Sequence, residues 1–529
     1  MIAKLLVVFC ILVKSAVSHG LSFPPHFKFG VATSAYQIEG AWNTSGKGVN
    51  IWDTFSHKML DQVEDHTTGD VACNSHELYK RDIDMVEEMG LQFYRFSISW
   101  SRILPHGFAT KVNKAGAMYY HKLIDELLRR GIEPVITMYH FDLPQILQDH
   151  GGWSNPLIVD WFTDYARVLF SLYAKKVKSW ITINEPLILC DFNYNTGILA
   201  PAVLEPELGP YLCNRHILLA HAKAWRLYDE HYKPRYGGKV GIANNPVWIE
   251  ASSPEHEELA ELARQFGIGR YAHPIYSKAG GWPPKVIKLM EEYGRRMGYA
   301  SSPLPPFSEE EIKLIRGTYD YFGLNFYTSR QIRPSRPGDD LSKWIFGGSP
   351  VLNAQLENSE DWPPTATDEV SFYPAGIRHQ LVWLRRTYGN LSFWITENGS
   401  GSIHDIHDED RIEFIREHLK EISHAIREGV NVECYTLWSL MDNFEWARGY
   451  SVKYGLYKVD FNDPDRRRIP RDSARFYADV VKSHSIMSHH HNRRKPPHPH
   501  QSPNRTSQAY LDVRTVVLCI FVAYLLNKL

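Results

Sequence analysis

The sequence has little net charge, few cysteines and no apolar run long enough to span a bilayer. Its 529 residues carry a formal net charge of −1, so no broad field would attract nucleic acid or another strongly charged partner. The 6 cysteines are widely spaced and match neither a metal-ligand pattern nor a disulfide scaffold. We therefore expect no nucleic-acid partner, no metal and no cofactor, and any disulfide would be incidental to function. A neutral small molecule fits this composition best.

An apolar run near the start has the form of a targeting signal. Lys4 precedes the run Leu5 to Val13, and the small residues Ala16 and Ser18 follow it, which is the order of a secretory signal peptide. We therefore predict a signal peptide in residues 1–20; the alternative is a buried N-terminal helix. This predicts a secretory-pathway protein that is extracellular or held at the cell surface.

The composition changes after Lys482. Residues 486–510 are rich in histidine, proline and basic residues, which is typical of a solvated linker, with metal binding by the histidines as the alternative. Within residues 511–529, the run Thr515 to Leu526 would span only about 18 Å as a helix, less than the about 30 Å of a bilayer core. It resembles a glycosylphosphatidylinositol attachment signal; a marginal membrane span or an unremarkable tail are the alternatives.

Between these ends, segments rich in β-branched and aromatic residues alternate with helical ones. Apolar stripes at three- and four-residue spacing, such as Ile412, Ile415 and Leu419, are each followed by a glycine and then a strand. The predicted strands are Phe27 to Ser34, Phe93 to Trp100, Glu133 to His140, Ser179 to Asn184, Lys239 to Asn244, Tyr321 to Tyr327, Leu391 to Thr396, and Asn431 to Trp438. This pattern predicts an α/β fold, a single (β/α)₈ TIM barrel over residues 21–485 with long βα loops on its C-terminal face.

Two segments are longer than simple crossovers. We expect Ala251 to Pro306 to be an inserted excursion over the barrel mouth. Arg333 to Pro374 is rich in proline, glycine, aspartate and serine, so it is expected to form part of the substrate entrance. For most of its residues, a plain surface loop is the alternative.

Two glutamates stand where predicted strands end. Glu185 follows the fourth strand and Glu397 follows the seventh. Because reactive groups of such barrels lie at the carboxyl ends of the strands, both can face one cavity. Two carboxylates across a cavity can cut a glycosidic bond. Further polar and aromatic residues at strand ends are expected to converge there, although each alone could be a structural residue: Gln37, Arg95, His140, Asn184, Asn325, Tyr327, Trp438, Glu445 and Trp446.

Three further motifs carry a family resemblance: Phe29 to Gly40, Tyr94 to Arg102 and Trp438 to Trp446. With the two glutamate motifs, they make the sequence similar to glycoside hydrolase family 1 over about Phe23 to Lys482. This β-glucosidase family includes lactase-like and klotho-like animal proteins and myrosinases. One departure is Ala202, which stands where the family usually has glycine.

The resemblance implies a retaining β-glucosidase that forms a covalent glycosyl-enzyme. Glu397 would be the nucleophile, supported by Arg95 and Tyr327, and Glu185 the acid and then the base. Sugar contacts would come from the substrate-binding residues Gln37, His140, Asn184, Asn325, Tyr327, Trp438, Glu445 and Trp446. Substrates would be O-linked β-glucosides, with β-galactosides and β-fucosides tolerated. The alternatives are a thioglucosidase, a transglycosylase and a non-catalytic klotho-like binding protein.

Overall fold

The computed structural model describes residues 21–367 and 370–486. The predicted signal peptide and tail, and all but the first residue of the predicted linker, lie outside these residues. Within the described ranges, no helix is long and apolar enough to cross a membrane.

Eight parallel strands form a closed barrel, as predicted. Each strand pairs with its sequence neighbours, and β8 closes on β1 through pairs such as Ala32 with Trp438. The strands are β1 (Lys28–Ala32), β2 (Phe93–Ser97), β3 (Glu133–Tyr139), β4 (Ser179–Asn184), β5 (Lys239–Asn244), β6 (Phe322–Asn325), β7 (Phe393–Asn398) and β8 (Val432–Trp438). All eight coincide with predicted strands, so the carboxyl ends meet at one mouth.

Amphipathic helices cover the barrel. The helix at Glu409–Arg427 buries Ile412, Ile415 and Leu419, the predicted stripe, and Gly429 then takes a positive φ of 89° that reverses the chain toward β8. The longer helices are Ile51–Lys58, Ser75–Glu88, Lys114–Arg129, Ile158–Tyr173, Gly209–His231, Glu257–Arg264, Arg270–Tyr276, Pro284–Arg296, Glu309–Ile315, Ala375–Tyr388, Glu409–Arg427 and Asp472–Ser483. Shorter helices are Ala35–Ile38, Trp100–Ile103, Gln145–Asp149, Pro186–Ile188 and Lys233–Tyr236.

None of the residues of the segment Ala251 to Pro306 lines the cavity at the barrel mouth, so the prediction that the segment covers the mouth is wrong. Its helix Arg270–Tyr276 packs on the outside of the barrel, where the Tyr276 ring lies 4.8 Å from that of Phe322 in β6. Ile275 is fully buried, and the Tyr271 hydroxyl donates to Asp191 Oδ1 at 3.0 Å, in the segment that follows β4. Burial against the barrel wall therefore holds the segment in the helical layer.

Small sheets lie outside the barrel. Trp248–Ala251, Ser329–Pro334 and Ala354–Glu357 form a three-stranded sheet, and Tyr457–Val459 pairs with Arg468–Pro470. The three-stranded sheet joins the chain just after β5 to the chain after β6. Because Ser329–Pro334 also pairs with Ala354–Glu357, this sheet holds together the two ends of the loop between them.

A disulfide joins Cys190 to Cys213. Cys190 lies in the segment that follows β4, and Cys213 lies in the first turns of Gly209–His231. The bond therefore ties the chain just beyond Glu185 to the next barrel helix. The other described cysteines, Cys73 and Cys434, are buried thiols.

Candidate active site

Glu185 stands on a sharp turn at the end of β4. Its backbone has a φ of 47°, a left-handed conformation that non-glycine residues seldom adopt and that is common at functional sites. The Glu185 amide donates to the Ala243 carbonyl at 2.8 Å, and Pro186 begins the next helix. The Asn325 side chain donates to Glu185 Oε1 at 2.8 Å, which orients the carboxyl from the end of β6.

Glu397 is the last residue but one of β7, and both of its carboxylate oxygens accept hydrogen bonds from side chains. Arg95 Nη1 lies 2.5 Å from Oε1, and the Tyr327 hydroxyl donates to Oε2 at 2.6 Å. Glu397 is only 3% exposed, so the ion pair works at low dielectric and each contact is stronger than at the surface.

The Arg95 guanidinium is fixed from several strands at once. Its Nε donates to Thr137 Oγ1 at 3.1 Å, Nη1 to the Thr396 carbonyl at 2.7 Å, and Nη2 to Asn184 Oδ1 at 2.7 Å. These contacts link β2 to β3, β4 and β7. Sequence reasoning missed Thr137, whose only signal is a polar residue between the apolar Ile136 and Met138. It also missed Thr396, which contributes its backbone carbonyl, so its side chain carries no signal for this contact.

The two carboxyls hold their protons differently. Burial and then the negative charge of Glu397 raise the pKa of Glu185 to about 8, against the opposing hydrogen bond from Asn325. Burial also raises the pKa of Glu397, but the Arg95 cation and the Tyr327 hydroxyl oppose that rise. At neutral pH Glu185 therefore carries a proton, whereas Glu397 is ionised.

Both carboxyls face a cavity of about 520 Å³ at the carboxyl ends of the strands. The other predicted site residues in its lining are His140, Asn325, Tyr327, Trp438, Glu445 and Trp446. Gln37, Asn184 and Arg95 are buried and stand behind this lining. The structure therefore brings every predicted site residue together, six beside the glutamates and three in support.

Three rings in this cavity lie nearly parallel. The His140 ring is 5.7 Å from Trp438 with an interplanar angle of 12°, and 6.0 Å from Trp446 at 16°. Burial and the Arg95 cation hold the pKa of His140 well below its usual value, so the imidazole is neutral. Its Nδ1 atom is buried and has no hydrogen-bond partner among the described residues.

Gln37 contacts Glu445, the chain neighbour of Trp446. Gln37 Nε2 donates to Asn443 Oδ1 at 2.8 Å, to the Phe444 carbonyl at 3.0 Å and to Glu445 Oε2 at 3.3 Å. The Ser34 hydroxyl donates to Gln37 Oε1 at 2.6 Å. Ser34 and Asn443 were missed as supporting residues, although both lie in the motifs that flank the site.

The outer part of the cavity is built by loops. The predicted entrance segment Arg333 to Pro374 contributes Phe346, Thr367 and Val370 to the lining, so this prediction is confirmed. Phe192, in the segment after β4, was missed, and nothing in the local sequence marks it as a cavity residue. At the adjoining lip, Ala202 has a φ of 61°, a conformation that glycine would adopt without strain.

Comparison with known proteins agrees with this geometry. The family model "Glycosyl hydrolase family 1" matches residues 19–486. Myrosinase 1 of Brevicoryne brassicae is 42% identical over 87% of this chain and 98% of its own. The cytosolic beta-glucosidase of Homo sapiens is 38% identical over 89% of this chain and 100% of its own.

Solved structures give the same result. An aphid myrosinase superposes with a TM-score of 0.83 at 41% identity, covering 87% of this chain and 99% of that chain. A rice β-glucosidase in a covalent complex with Glc superposes with a TM-score of 0.79 at 32% identity, covering 88% of this chain and 98% of that chain. The chain therefore belongs to glycosyl hydrolase family 1.

Proposed function

We propose that this chain is a retaining β-glucosidase that hydrolyses O-linked β-D-glucosides, with β-galactosides and β-fucosides as further substrates. One observation carries the proposal. Two carboxyls line the same cavity, and of the two only Glu397 has a cationic partner, whereas the pKa of Glu185 is raised to about 8. An ionised nucleophile beside a protonated acid is the pair that a retaining glycosidase needs.

In the first step, a Glu397 oxygen attacks the anomeric carbon. The glycosidic C–O bond breaks as Glu185 donates its proton to the departing oxygen. Formation of the ester removes the negative charge of Glu397, so the pKa of Glu185 falls and its carboxylate becomes a base. Glu185 then takes a proton from water, which attacks the anomeric carbon and releases Glu397. Two inversions give net retention, and the covalent Glc in the rice relative supports this sequence.

The remaining residues bind the glucosyl unit. Neutral His140 and Glu445 face the cavity and bind sugar hydroxyls. Gln37 and Asn184 stand behind the lining and hold these two side chains, through contacts of 3.3 Å to Glu445 Oε2 and to His140 Nε2. Trp438 stacks under the ring and Trp446 reaches a hydroxyl. The Glu445 carboxylate would repel a sugar phosphate, so an unphosphorylated sugar is expected.

The test compares two variants on two leaving groups. Glu397→Gln should abolish turnover of both an alkyl β-glucoside and dinitrophenyl β-glucoside, because it removes the nucleophile. Glu185→Gln should abolish turnover of the alkyl glucoside but retain the first step on the dinitrophenyl glucoside, whose anion leaves without a proton. Glu230→Gln, at a side chain that is 64% exposed and lies outside the cavity lining, is the matched control. Equal turnover by wild type and Glu397→Gln would refute the proposal.

A thioglucosidase is the second candidate, favoured by the 42% identity to Myrosinase 1. A thiolate leaves without protonation, so a thioglucosidase can dispense with the acid, but Glu185 is retained here and is held protonated. This supports O-glucosides as the main substrates. A higher kcat/KM on a thioglucoside than on the matched O-glucoside would reverse the ranking.

We also propose that the protein enters the secretory pathway and is tethered at the cell surface through its C-terminal tail. The Cys190–Cys213 bond suits an oxidising compartment. Asn43, Asn390 and Asn398 each begin an Asn-X-Ser/Thr sequence, the acceptor for N-linked glycans. Asn43 and Asn390 are exposed and can accept a glycan, whereas Asn398 is buried and donates to the Phe326 carbonyl at 2.6 Å. Release from membranes by a phosphatidylinositol-specific phospholipase tests the tether, and retention after treatment would refute it.

A further inference from the structure

The outer half of the cavity has an aromatic wall made by two loops. The Phe192 and Phe346 rings lie 5.6 Å apart at 71°, an edge-to-face pair of the kind that stabilises aromatic contacts. Both rings line the cavity that holds the glutamates, and both are only partly buried. They lie beyond the residues assigned to the glucosyl unit, where the leaving group of a glucoside would sit.

The apolar surface continues from this pair to the rim. Ile188, Leu199 and Val247 line the same cavity, and Ile198 at the rim is 54% exposed. An exposed isoleucine next to an apolar wall extends that wall toward solvent and would be covered by an apolar ligand. A second sugar would present hydroxyls to these apolar side chains, which offer no donor or acceptor.

The charge of this lining is unsuited to an anionic leaving group. Among the described lining residues, Arg448 is the only arginine or lysine, and its Nη1 atom lies 2.8 Å from Glu64. Asp61, Glu64 and Glu445 also line the cavity. The Arg330 guanidinium lies 5.6 Å from the Phe346 ring, but it is buried and outside the lining. Within the lining, a negative leaving group would therefore meet mainly carboxylates.

We propose that the preferred substrate carries an uncharged, apolar aglycone that packs on Phe192 and Phe346 and runs toward Ile198. The inference rests on the proposed glucosidase function and adds the chemical class of the leaving group.

The test uses n-alkyl β-D-glucosides from ethyl to hexyl, whose leaving alcohols have the same chemistry. Because each methylene adds only apolar contact, kcat/KM should rise by about two- to fourfold per added methylene that is buried. Phe192→Ser and Phe346→Ser should flatten this dependence. Leu204→Ser is the matched control, since Leu204 is 72% exposed and is not in the lining.

β-Glucosyl fluoride separates the inference from the function on which it rests. Its leaving group is too small to reach the aromatic wall, so both phenylalanine variants should cleave it at the wild-type rate. Turnover of the fluoride without a chain-length dependence would overturn the inference and leave the glucosidase function intact. No turnover of the fluoride would overturn the function itself.

Two further substrate comparisons test the class of aglycone. Cellobiose should be a poorer substrate than hexyl glucoside, and the reverse order would overturn the inference. The β-glucoside of methyl 4-hydroxybenzoate should exceed that of 4-hydroxybenzoate by about fivefold, the effect of one like charge at about 8 Å in a half-solvated site. Preference for the anion would equally overturn it.

Discussion

Replacing Glu185 with glutamine is expected to stabilise the fold at neutral pH. Burial and the charge of Glu397 raise the pKa of Glu185 from 4.5 to about 8, so the folded protein keeps a proton that the unfolded chain releases. A carboxyl with a raised folded pKa makes stability greatest below the unfolded value. Stability is then lost as the pH rises from about 4.5 to about 8. Glutamine is neutral at every pH and escapes this loss.

The size of the effect follows from the shift. Each pH unit in the window costs about 1.4 kcal/mol, so wild type loses about 3 kcal/mol between its unfolded pKa and pH 7. A barrel of this length unfolds with an entropy of about 1 kcal/mol per kelvin. The melting temperature of Glu185→Gln should therefore exceed that of wild type by about 3 K at pH 7. The Asn325 contact survives, because the glutamine carbonyl still accepts a hydrogen bond.

Calorimetric scans of wild type and Glu185→Gln across this pH range provide the measurement. The gap in melting temperature should be absent at pH about 4.5 and open steadily toward pH about 8. Glu64→Gln serves as the control, since an exposed ion pair contributes about 0 to 1 kcal/mol and should open no such gap. A gap that is independent of pH, or a wild type more stable than Glu185→Gln at pH 7, would refute the reasoning.

Three further changes have calculable effects. Arg95→Met removes the cation that opposes the raised pKa of Glu397, so the acidic limb of the kcat/KM profile should move to higher pH, and less in Arg95→Lys. The double variant Cys190→Ser, Cys213→Ser removes a disulfide between residues 23 positions apart. Its free energy of unfolding, measured in urea, should be lower than that of wild type by about 3 kcal/mol. Ala202→Gly relieves a φ of 61° and should stabilise by up to about 1 kcal/mol; an unchanged melting temperature would contradict this.

The barrel was predictable because its strands have local signals. Ser179–Asn184 and Lys239–Asn244 were predicted residue for residue. The first is a short run of β-formers after a helix, and the second has Val240 and Ile242 just after a helix and two glycines. The strand predicted at Tyr321 to Tyr327 is shorter, Phe322–Asn325. Tyr327 leaves the strand because its hydroxyl turns to Glu397, a contact that no local pattern encodes.

The loops were less predictable because an amphipathic helix shows only that it buries one face. The apolar faces of the segment Ala251 to Pro306 would serve equally over the mouth or against the barrel wall, and the structure uses the wall. Phe192 and Phe346 meet only because β4 and β6 carry their loops to one rim. Such a contact depends on loop conformation over the intervening chain, which sequence spacing does not specify.

The different roles of the two glutamates also depend on contacts between distant parts of the chain. In the sequence, Glu185 and Glu397 are both glutamates that end a run of β-formers, and spacing alone does not distinguish them. In the fold, Glu397 receives a charged donor from β2, whereas the donor to Glu185 Oε1 is the neutral Asn325 amide. A cation favours the ionised carboxyl far more than an amide does. The asymmetry that separates nucleophile from acid therefore resides in Arg95, whose own position depends on contacts from β3, β4 and β7.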